Sequence, residues 1–99
     1  MSAKILFVED ERDLSLIVCD TLRQQGYDVV AAFDGIEGLA RYKSGGADFI
    51  VADVMMPRLD GFAMAKEIRR LSANVPIIFL TAKSTIDDVE AVSYTHLTL

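Results

Sequence analysis

Three acidic residues follow two short apolar runs of the sequence and are the first candidates for chemistry. Glu9 and Asp10 come directly after the run Ile5 to Val8, and Asp53 comes directly after the run Phe49 to Ala52. Short continuous apolar runs are typical of strands that are buried on both faces. A lone carboxylate at the end of a buried strand is costly unless something pairs with it. These acids therefore need either a structural partner or a ligand.

The first interpretation of the three acids is a metal site. If the two apolar runs form neighbouring parallel strands, the carboxylates converge where such strands end, which is the ligand crevice of an open sheet. Left alone they would repel one another, and the pKa of at least one would rise. A divalent cation would relieve the repulsion, and hard oxygen ligands are typical of Mg²⁺. Glu9, Asp10 and Asp53 are the predicted metal ligands.

Asp53 has a second chemical role open to it. An aspartate carboxylate can attack phosphorus and carry the phosphoryl group as an acyl phosphate, with Mg²⁺ offsetting the negative charge of acceptor and phosphoryl group. Thr81 ends a further apolar run, Val75 to Thr81, and its hydroxyl could contact a phosphoryl oxygen.

A structural explanation competes with this chemistry. Acids after a strand often cap the next helix, and Glu9 and Asp10 stand immediately before a helical pattern. That explanation fits Asp53 poorly, because Val54, Met55 and Met56 follow it where a helix start would be polar.

The spacing of the apolar residues predicts the strands and helices that must position these acids. It switches regularly between strand-like runs and helical spacing. Four β-type runs alternate with four helical patterns, which predicts βαβ units and a parallel sheet covered on both faces. Gly26 is a predicted helix stop, and Asp34 is a predicted N-cap. The first helix is predicted from Leu14, Ile17, Val18 and Leu22, the second from Ile36, Leu39 and Ala40, the third from Phe62, Ala65, Ile68 and Leu71, and the fourth, from Thr85 onwards, from Ile86, Val89 and Val92.

Length and composition limit the functional classes. The 99 residues suffice for one small domain, and 52% apolar with 25% charged residues is a globular composition. The formal net charge of −5 argues against a direct nucleic-acid surface, which normally needs a basic patch. The single cysteine, Cys19, excludes an internal disulfide and fits a reducing, cytoplasmic compartment. The N-terminal run is too short for a signal peptide, and no run of about eighteen apolar residues could span a membrane.

Three motifs together resemble the receiver domain of two-component response regulators. They are "ILFVEDE" from Ile5, "DVMMPRLDGF" from Asp53 and "PIIFLTAK" from Pro76. They stand in the family's order and spacing, and the resemblance extends from Lys4 to Ala91. Each motif alone is weak, whereas the set is specific.

The resemblance implies a fold and a role for individual residues. The fold is α/β and flavodoxin-like (CheY-like), a doubly wound parallel sheet with the strand order 2-1-3-4-5 and its site at the switch point between strands 1 and 3. Asp53 matches the phospho-acceptor, Glu9 and Asp10 the metal-binding acids, and the backbone carbonyl of Met55 a further Mg²⁺ ligand. Thr81 matches the switch hydroxyl. The implied phosphoryl donor is a sensor histidine kinase, and a receiver is a phospho-acceptor rather than an enzyme acting on a separate substrate.

The C-terminal part departs from the family pattern. The family has a fifth strand ending in Lys-Pro and a fifth helix, and the predicted order here stops at 2-1-3-4 with both elements missing. Residues 1–92 are predicted to be an incomplete receiver domain, and residues 93–99, "SYTHLTL", a non-native tail. Within this tail Tyr94, Thr95, Leu97 and Thr98 favour a strand. We therefore expect an exposed fourth strand, a poorly stable chain and slow phosphotransfer.

Two other functions compete with the receiver interpretation. An aspartate-nucleophile phosphohydrolase of the haloacid dehalogenase kind would have a second Asp two residues after the nucleophile, where this chain has Met55. A non-catalytic flavodoxin-like binding module has no need for the acids and Thr81. Within the receivers, the motifs are similar to the winged-helix (OmpR-like) subfamily, so a DNA-binding output domain is expected in a parent protein and not in this chain.

Overall fold

A five-stranded parallel sheet with helices on both faces organises the chain. The computed structural model describes residues 2–53, 59–81 and 94–98. In chain order the elements are β1 (Lys4–Val8), α1 (Arg12–Gln24), β2 (Asp28–Ala32), α2 (Gly35–Gly45), β3 (Phe49–Asp53), α3 (Gly61–Leu71), β4 (Ile77–Thr81) and β5 (Tyr94–Thr98). The predicted fourth helix, from Thr85, lies outside the described residues. No helix in the described ranges has the length and apolar character needed to cross a bilayer.

The strand order is β2-β1-β3-β4-β5, and every neighbouring pair is parallel. This confirms the predicted flavodoxin-like, doubly wound sheet and its order 2-1-3-4. Placing β1 between β2 and β3 makes the β1–β3 boundary the switch point, because the chain runs from β1 to one side of the sheet and later returns to the other.

The prediction of a missing fifth strand is wrong. Tyr94–Thr98 forms β5 and pairs with β4 over its whole length, from Ile77↔Tyr94 to Thr81↔Thr98. Twelve residues, 82–93, connect the two strands, which is just enough for a parallel crossover. Tyr94, Thr95 and Thr98 are aromatic or β-branched and suit a strand. The short remaining length was therefore compatible with a fifth strand after all.

The expected loss of cover over β4 is correct for one face only. Ile77 and Phe79 point to the face that carries α2 and α3 and are buried, whereas Ile78 and Leu80 on the opposite face are half-buried. β4 is also an inner strand and not an edge, since β3 and β5 flank it. The uncovered surface is thus smaller than the sequence predicts.

Alternate side chains of β1 pack in two different cores, one on each face of the sheet. Leu6 and Val8 belong to the larger core, under α2 and α3, and Ile5 and Phe7 belong to the smaller core, under α1. All four are at most 2% exposed. This explains why β1 is a continuous apolar run, and it places the strand that precedes Glu9 in close packing on both faces.

Local signals in the sequence set several helix ends. The Asp34 Oδ1 accepts a hydrogen bond from the N–H of Glu37 at 2.7 Å and caps α2 as predicted. The Oδ1 of Asp60 accepts one from the N–H of Ala63 at 2.8 Å and caps α3. Gly26 follows α1 with a φ of 97°, a left-handed conformation that glycine adopts without strain.

The buried face of α1 differs from the apolar pattern that predicted the helix. Cys19 and Ser15 are its buried positions, while Leu16 and Ile17 are 61% and 64% exposed. Cys19 is therefore a small core residue, as expected, and Ile17 is not part of the core.

Removal of residues 93–99 should lower the melting temperature, because β4 would become an edge strand with unpaired backbone groups. Partial exposure of Ile77 and Phe79 would add to the loss, since burial of such side chains contributes roughly 1.5–3 kcal/mol each and a domain has only about 5–15 kcal/mol in total. Thermal melts followed by circular dichroism, with a chain lacking only Leu99 as control, measure the effect. Equal melting temperatures for the unaltered chain, the chain without residues 93–99 and the chain without Leu99 would show that β5 does not contribute to stability.

Candidate functional site

The register of β1 and β3 brings the three predicted acids together. Val8 pairs with Ala52. Glu9 and Asp53 are the next residues after this pair, so they lie side by side where the two neighbouring strands end. One carboxylate oxygen from each of Glu9, Asp10 and Asp53 lies within 4.8 Å of the other two. The sequence prediction that these side chains converge is thereby realised in the geometry.

The three acids differ in their access to solvent. Glu9 is 5% exposed, Asp53 is half-buried and Asp10 is exposed. Glu9 thus forms the floor of the cluster and Asp10 its rim. A cation could approach from the solvent side and lose only part of its hydration shell, which suits Mg²⁺ because it usually keeps several waters.

Backbone hydrogen bonds hold Glu9 in place. Its N–H donates to the carbonyl of Ala32, at the end of β2, over 3.0 Å, and its Oε2 accepts from the N–H of Glu11 at 3.0 Å. Glu11 is the N-cap residue of α1 but makes no side-chain cap bond. The capping explanation therefore accounts for one bond of Glu9 and for none of Asp10.

Burial raises the pKa of Glu9 from 4.5 to about 7. Loss of hydration is the largest cause, and the hydrogen bond with Asp10 and the negative charges of Asp53 and Asp10 act in the same direction, while the bond from the N–H of Glu11 opposes them. Like charges in a partly dehydrated site disfavour ionisation. The cluster is thus short of positive charge, and the donor set of carboxylate oxygens fits a hard divalent cation.

The remaining predicted site residues are only partly described. Thr81 is the last residue of β4, next to β3, but the position of its hydroxyl lies outside the described part of the structure. Met55, whose carbonyl is the fourth predicted ligand, also lies outside the described residues. The metal-ligand role of Glu9, Asp10 and Asp53 and the switch role of Thr81 stay predictions.

Two features near the site were not found from the sequence. The guanidinium of Arg12 lies 4.1 Å from the ring centroid of Phe33, which joins the start of α1 to the turn after β2. Glu37 accepts a bond from the N–H of Phe33, the residue before the N-cap Asp34, at 2.7 Å, and with the bond from its own N–H to Asp34 this forms a variant of the capping box. The spacing of Asp34 and Glu37 is a known sequence signature of such a box, whereas the contact of Arg12 with Phe33 depends on the fold.

Comparison with known proteins identifies the family. Residues 5–96 match the family model described as the response regulator receiver domain. The chain belongs to this family. It is a receiver domain of the kind found in two-component response regulators, and the phosphohydrolase and passive binding-module interpretations lose their basis.

Relatives of known name support the same assignment. The chain is 40% identical over 86 residues to the transcriptional regulatory protein RprY of Bacteroides fragilis and 42% identical over 83 residues to the alkaline phosphatase synthesis transcriptional regulatory protein PhoP of Bacillus subtilis. The alignments cover 87% and 84% of the chain but 36% and 35% of these relatives. The chain therefore spans about a third of the length of the curated relatives that it matches.

Solved structures of receivers superpose closely on the chain. The chemotaxis protein CheY4 of Vibrio cholerae has a TM-score of 0.91 at 35% identity, with 99% of the chain and 87% of CheY4 covered. The response regulator TrrA of Thermotoga maritima, crystallised with Mg²⁺ and BeF, has a TM-score of 0.83 at 31% identity, with 100% of the chain and 89% of TrrA covered.

The raised pKa of Glu9 predicts how the stability of the metal-free protein depends on pH. Between about pH 4.5 and 7 the folded state binds more protons at Glu9 than the unfolded state does, so the free energy of unfolding should fall as the pH rises through this range, by roughly 1–3 kcal/mol. Urea denaturation at several pH values with a chelator present measures this slope. Glu9→Gln should flatten it.

Glu67→Gln is the matched control, because Glu67 lies on α3 and pairs with Arg70 at 3.3 Å at the surface. It removes the same charge and should keep the slope of the unaltered protein. An unchanged slope in Glu9→Gln would contradict the assignment of the effect to Glu9.

Proposed function

We propose that Asp53 accepts a phosphoryl group while Glu9, Asp10 and Asp53 hold a Mg²⁺ ion beside it. The observation that carries the proposal is the convergence of three carboxylates within 4.8 Å at the carboxyl ends of β1 and β3. Membership of the receiver family, whose members are phospho-acceptors, supports it. The backbone carbonyl of Met55 would complete the protein's share of the ligands.

The proposed transfer is a displacement at phosphorus. An oxygen of the Asp53 carboxylate attacks the phosphorus of the donor, a P–O bond forms, and the bond from phosphorus to the donor nitrogen breaks. The donor's imidazole keeps the bonding electron pair and takes a proton from solvent. Asp53 is half-buried and not fully enclosed. Bound Mg²⁺ supplies positive charge that offsets the charge of acceptor and phosphoryl oxygens.

Thr81 is the proposed switch residue. Asp53 pairs with Leu80 across the β3–β4 ladder, and Thr81 is the next residue of β4. A hydroxyl at this position is one step beyond the acceptor at the same sheet edge, where it could bind a phosphoryl oxygen and draw the following connection toward the site.

The proposed donor is a sensor histidine kinase, in a cytoplasmic setting. The two curated relatives named above are transcriptional regulatory proteins and are much longer than this chain, which supports a DNA-binding output domain in a parent protein. The chain itself has a net charge of −5 and is not proposed to bind nucleic acid.

The division into a receiver, residues 1–92, and a non-native tail, residues 93–99, is also proposed. Its support is chemical. The family pattern ends the fifth strand with lysine and proline, whereas β5 has the sequence YTHLT and is followed by Leu99. Without that lysine the phosphoryl group lacks one positive neighbour, so phosphotransfer by this chain should be slow.

Phosphorylation of Asp53 tests the proposed function. With a small phosphodonor and Mg²⁺, the chain should slowly take up one acid-labile phosphate, and Asp53→Asn should take up none, because an amide is not a nucleophile toward phosphorus as a carboxylate is. Intact-mass and peptide mass spectrometry provide the measurement.

Asp20→Asn is the control for phosphorylation. Asp20 lies on the surface of α1, away from the sheet edge, with a 61% exposed side chain. This variant should be labelled like the unaltered chain. Label on a peptide other than that of Asp53, or undiminished label in Asp53→Asn, would refute the proposal.

Metal affinity tests the role of Asp10. Asp10→Asn should weaken Mg²⁺ binding by about tenfold or more, since one of three carboxylates is lost, and should raise metal-free stability, because fewer like charges crowd the site. Calorimetric titration and thermal melts report the two effects. Asp20→Asn again serves as control, whereas Glu37 is unsuitable because it caps α2. Equal affinities in both variants would remove Asp10 from the site.

A further inference from the structure

The first residue of α2 lies against the backbone that follows the acceptor strand. A Cβ atom placed on Gly35 would overlap the carbonyl oxygen of Leu59 and would stand 2.7 Å from its carbonyl carbon and 2.9 Å from its Cβ. Most of these atoms are backbone, which cannot turn aside as the end of a side chain can. The contact is therefore possible only with glycine at position 35.

Neither backbone conformation nor helix propensity accounts for this glycine. The described glycines with positive φ are Gly26 and Gly46, and Gly35 is not among them. Glycine is also a poorer helix former than alanine. The close approach to Leu59 is thus the physical reason for the absence of a side chain at Gly35.

Leu59 controls one end of the connection that follows Asp53. Five residues, 54–58, separate it from Asp53, so the carboxyl-terminal end of this connection is set where Leu59 is set. The Leu59 side chain packs against the larger core, and the next residue, Asp60, caps α3 through its bond to the N–H of Ala63. Leu59 is therefore held by the core, by α3 and by Gly35.

The turn that carries Gly35 also contacts the segment that bears Glu9 and Asp10. The carbonyl of Ala32 accepts the N–H of Glu9 at 3.0 Å, and the ring of Phe33 lies under the guanidinium of Arg12 at 4.1 Å. The capping box of Asp34 and Glu37 holds the turn between these contacts, with both hydrogen bonds at 2.7 Å. The turn formed by residues 32–35 consequently touches the chain segments on both sides of the site.

We propose that Gly35 is a positioning residue for the acid cluster. Its close contact with Leu59 fixes the distance between Leu59 and the turn of residues 32–35, whose Ala32 carbonyl holds the N–H of Glu9. A side chain at position 35 would push Leu59 and this turn apart, and the shift would reach Glu9 through its hydrogen bond to Ala32 and weaken the metal site. This inference rests on the proposed function, because it assigns Gly35 to the metal and phosphoryl site of Asp53.

Gly35→Ala tests the inference in the chain as it stands. Mg²⁺ affinity, measured by calorimetric titration, should fall about tenfold, the size of effect typical of residues that orient metal ligands. The rate of phosphorylation at saturating small phosphodonor should fall with it. In the metal-free protein, amide NMR shifts of Asp10, Asp53 and Leu59 should move, which reports the displacement without any metal or phosphate.

Two other glycines of α2 are matched controls. In Gly45→Ala the new methyl group would meet the mobile end of Lys4, 2.8 Å from its Nζ, far from the acids. In Gly38→Ala it would meet the core, 2.6 Å from Sδ of Met64 and 3.0 Å from Cγ2 of Val8, so this variant should be less stable. Gly45→Ala should keep the Mg²⁺ affinity of the unaltered chain. Gly38→Ala is a control for stability alone, because its methyl group would press on Val8, the residue before Glu9.

Leu59→Ala is the second variant, for the case that Gly35→Ala does not fold. It leaves α2 unchanged and removes the core contact of Leu59, and it should also weaken Mg²⁺ binding. Unchanged affinity in Gly35→Ala, or in Leu59→Ala if that alone folds, would overturn the positioning role while leaving the proposed function intact. If the unaltered chain binds no Mg²⁺ and takes up no phosphate, the proposed function and the positioning role both fail.

Discussion

The crowding of like charges at the β1–β3 sheet edge is the constraint to which the rest of the structure responds. In an unfolded chain Asp53 would lie far from Glu9 and Asp10, and the parallel ladder between β1 and β3 brings the three within 4.8 Å of one another. Burial of Glu9 adds a cost of dehydration, which is visible in its raised pKa. The packing of the sheet must offset this cost.

The strand that precedes Glu9 is buried on both faces. Ile5 and Phe7 lie in one core and Leu6 and Val8 in the other, so β1 is held from both faces. A close-packed strand cannot shift to let the acids relax. The three acids are therefore held close together, and the proposed Mg²⁺ would offset part of their mutual repulsion.

The two faces of the sheet are unequal. Under α2 and α3 the core is continuous, whereas on the opposite face the inner strands keep half-buried side chains such as Val51, Ile78 and Leu80. The contact between Gly35 and Leu59 lies on the well-packed side. Leu59 is thus held on the side of the sheet that carries α2 and α3. The response regulator relatives named above are more than twice as long as this chain.

The sequence by itself determined the fold class, the identity of the three acids and several helix caps. Apolar runs that end in carboxylates and the alternation of periods predict the parallel sheet, since each is a local consequence of burial on two faces. The tertiary structure decided what depends on distant residues. β5 forms because twelve connecting residues let Tyr94–Thr98 pair with β4, Ile17 is exposed because α1 turns Ser15 and Cys19 to the sheet, and Gly35 is needed because Leu59, 24 positions along the chain, comes to lie against it. No local pattern encodes such approaches, because they arise only when separate elements pack together.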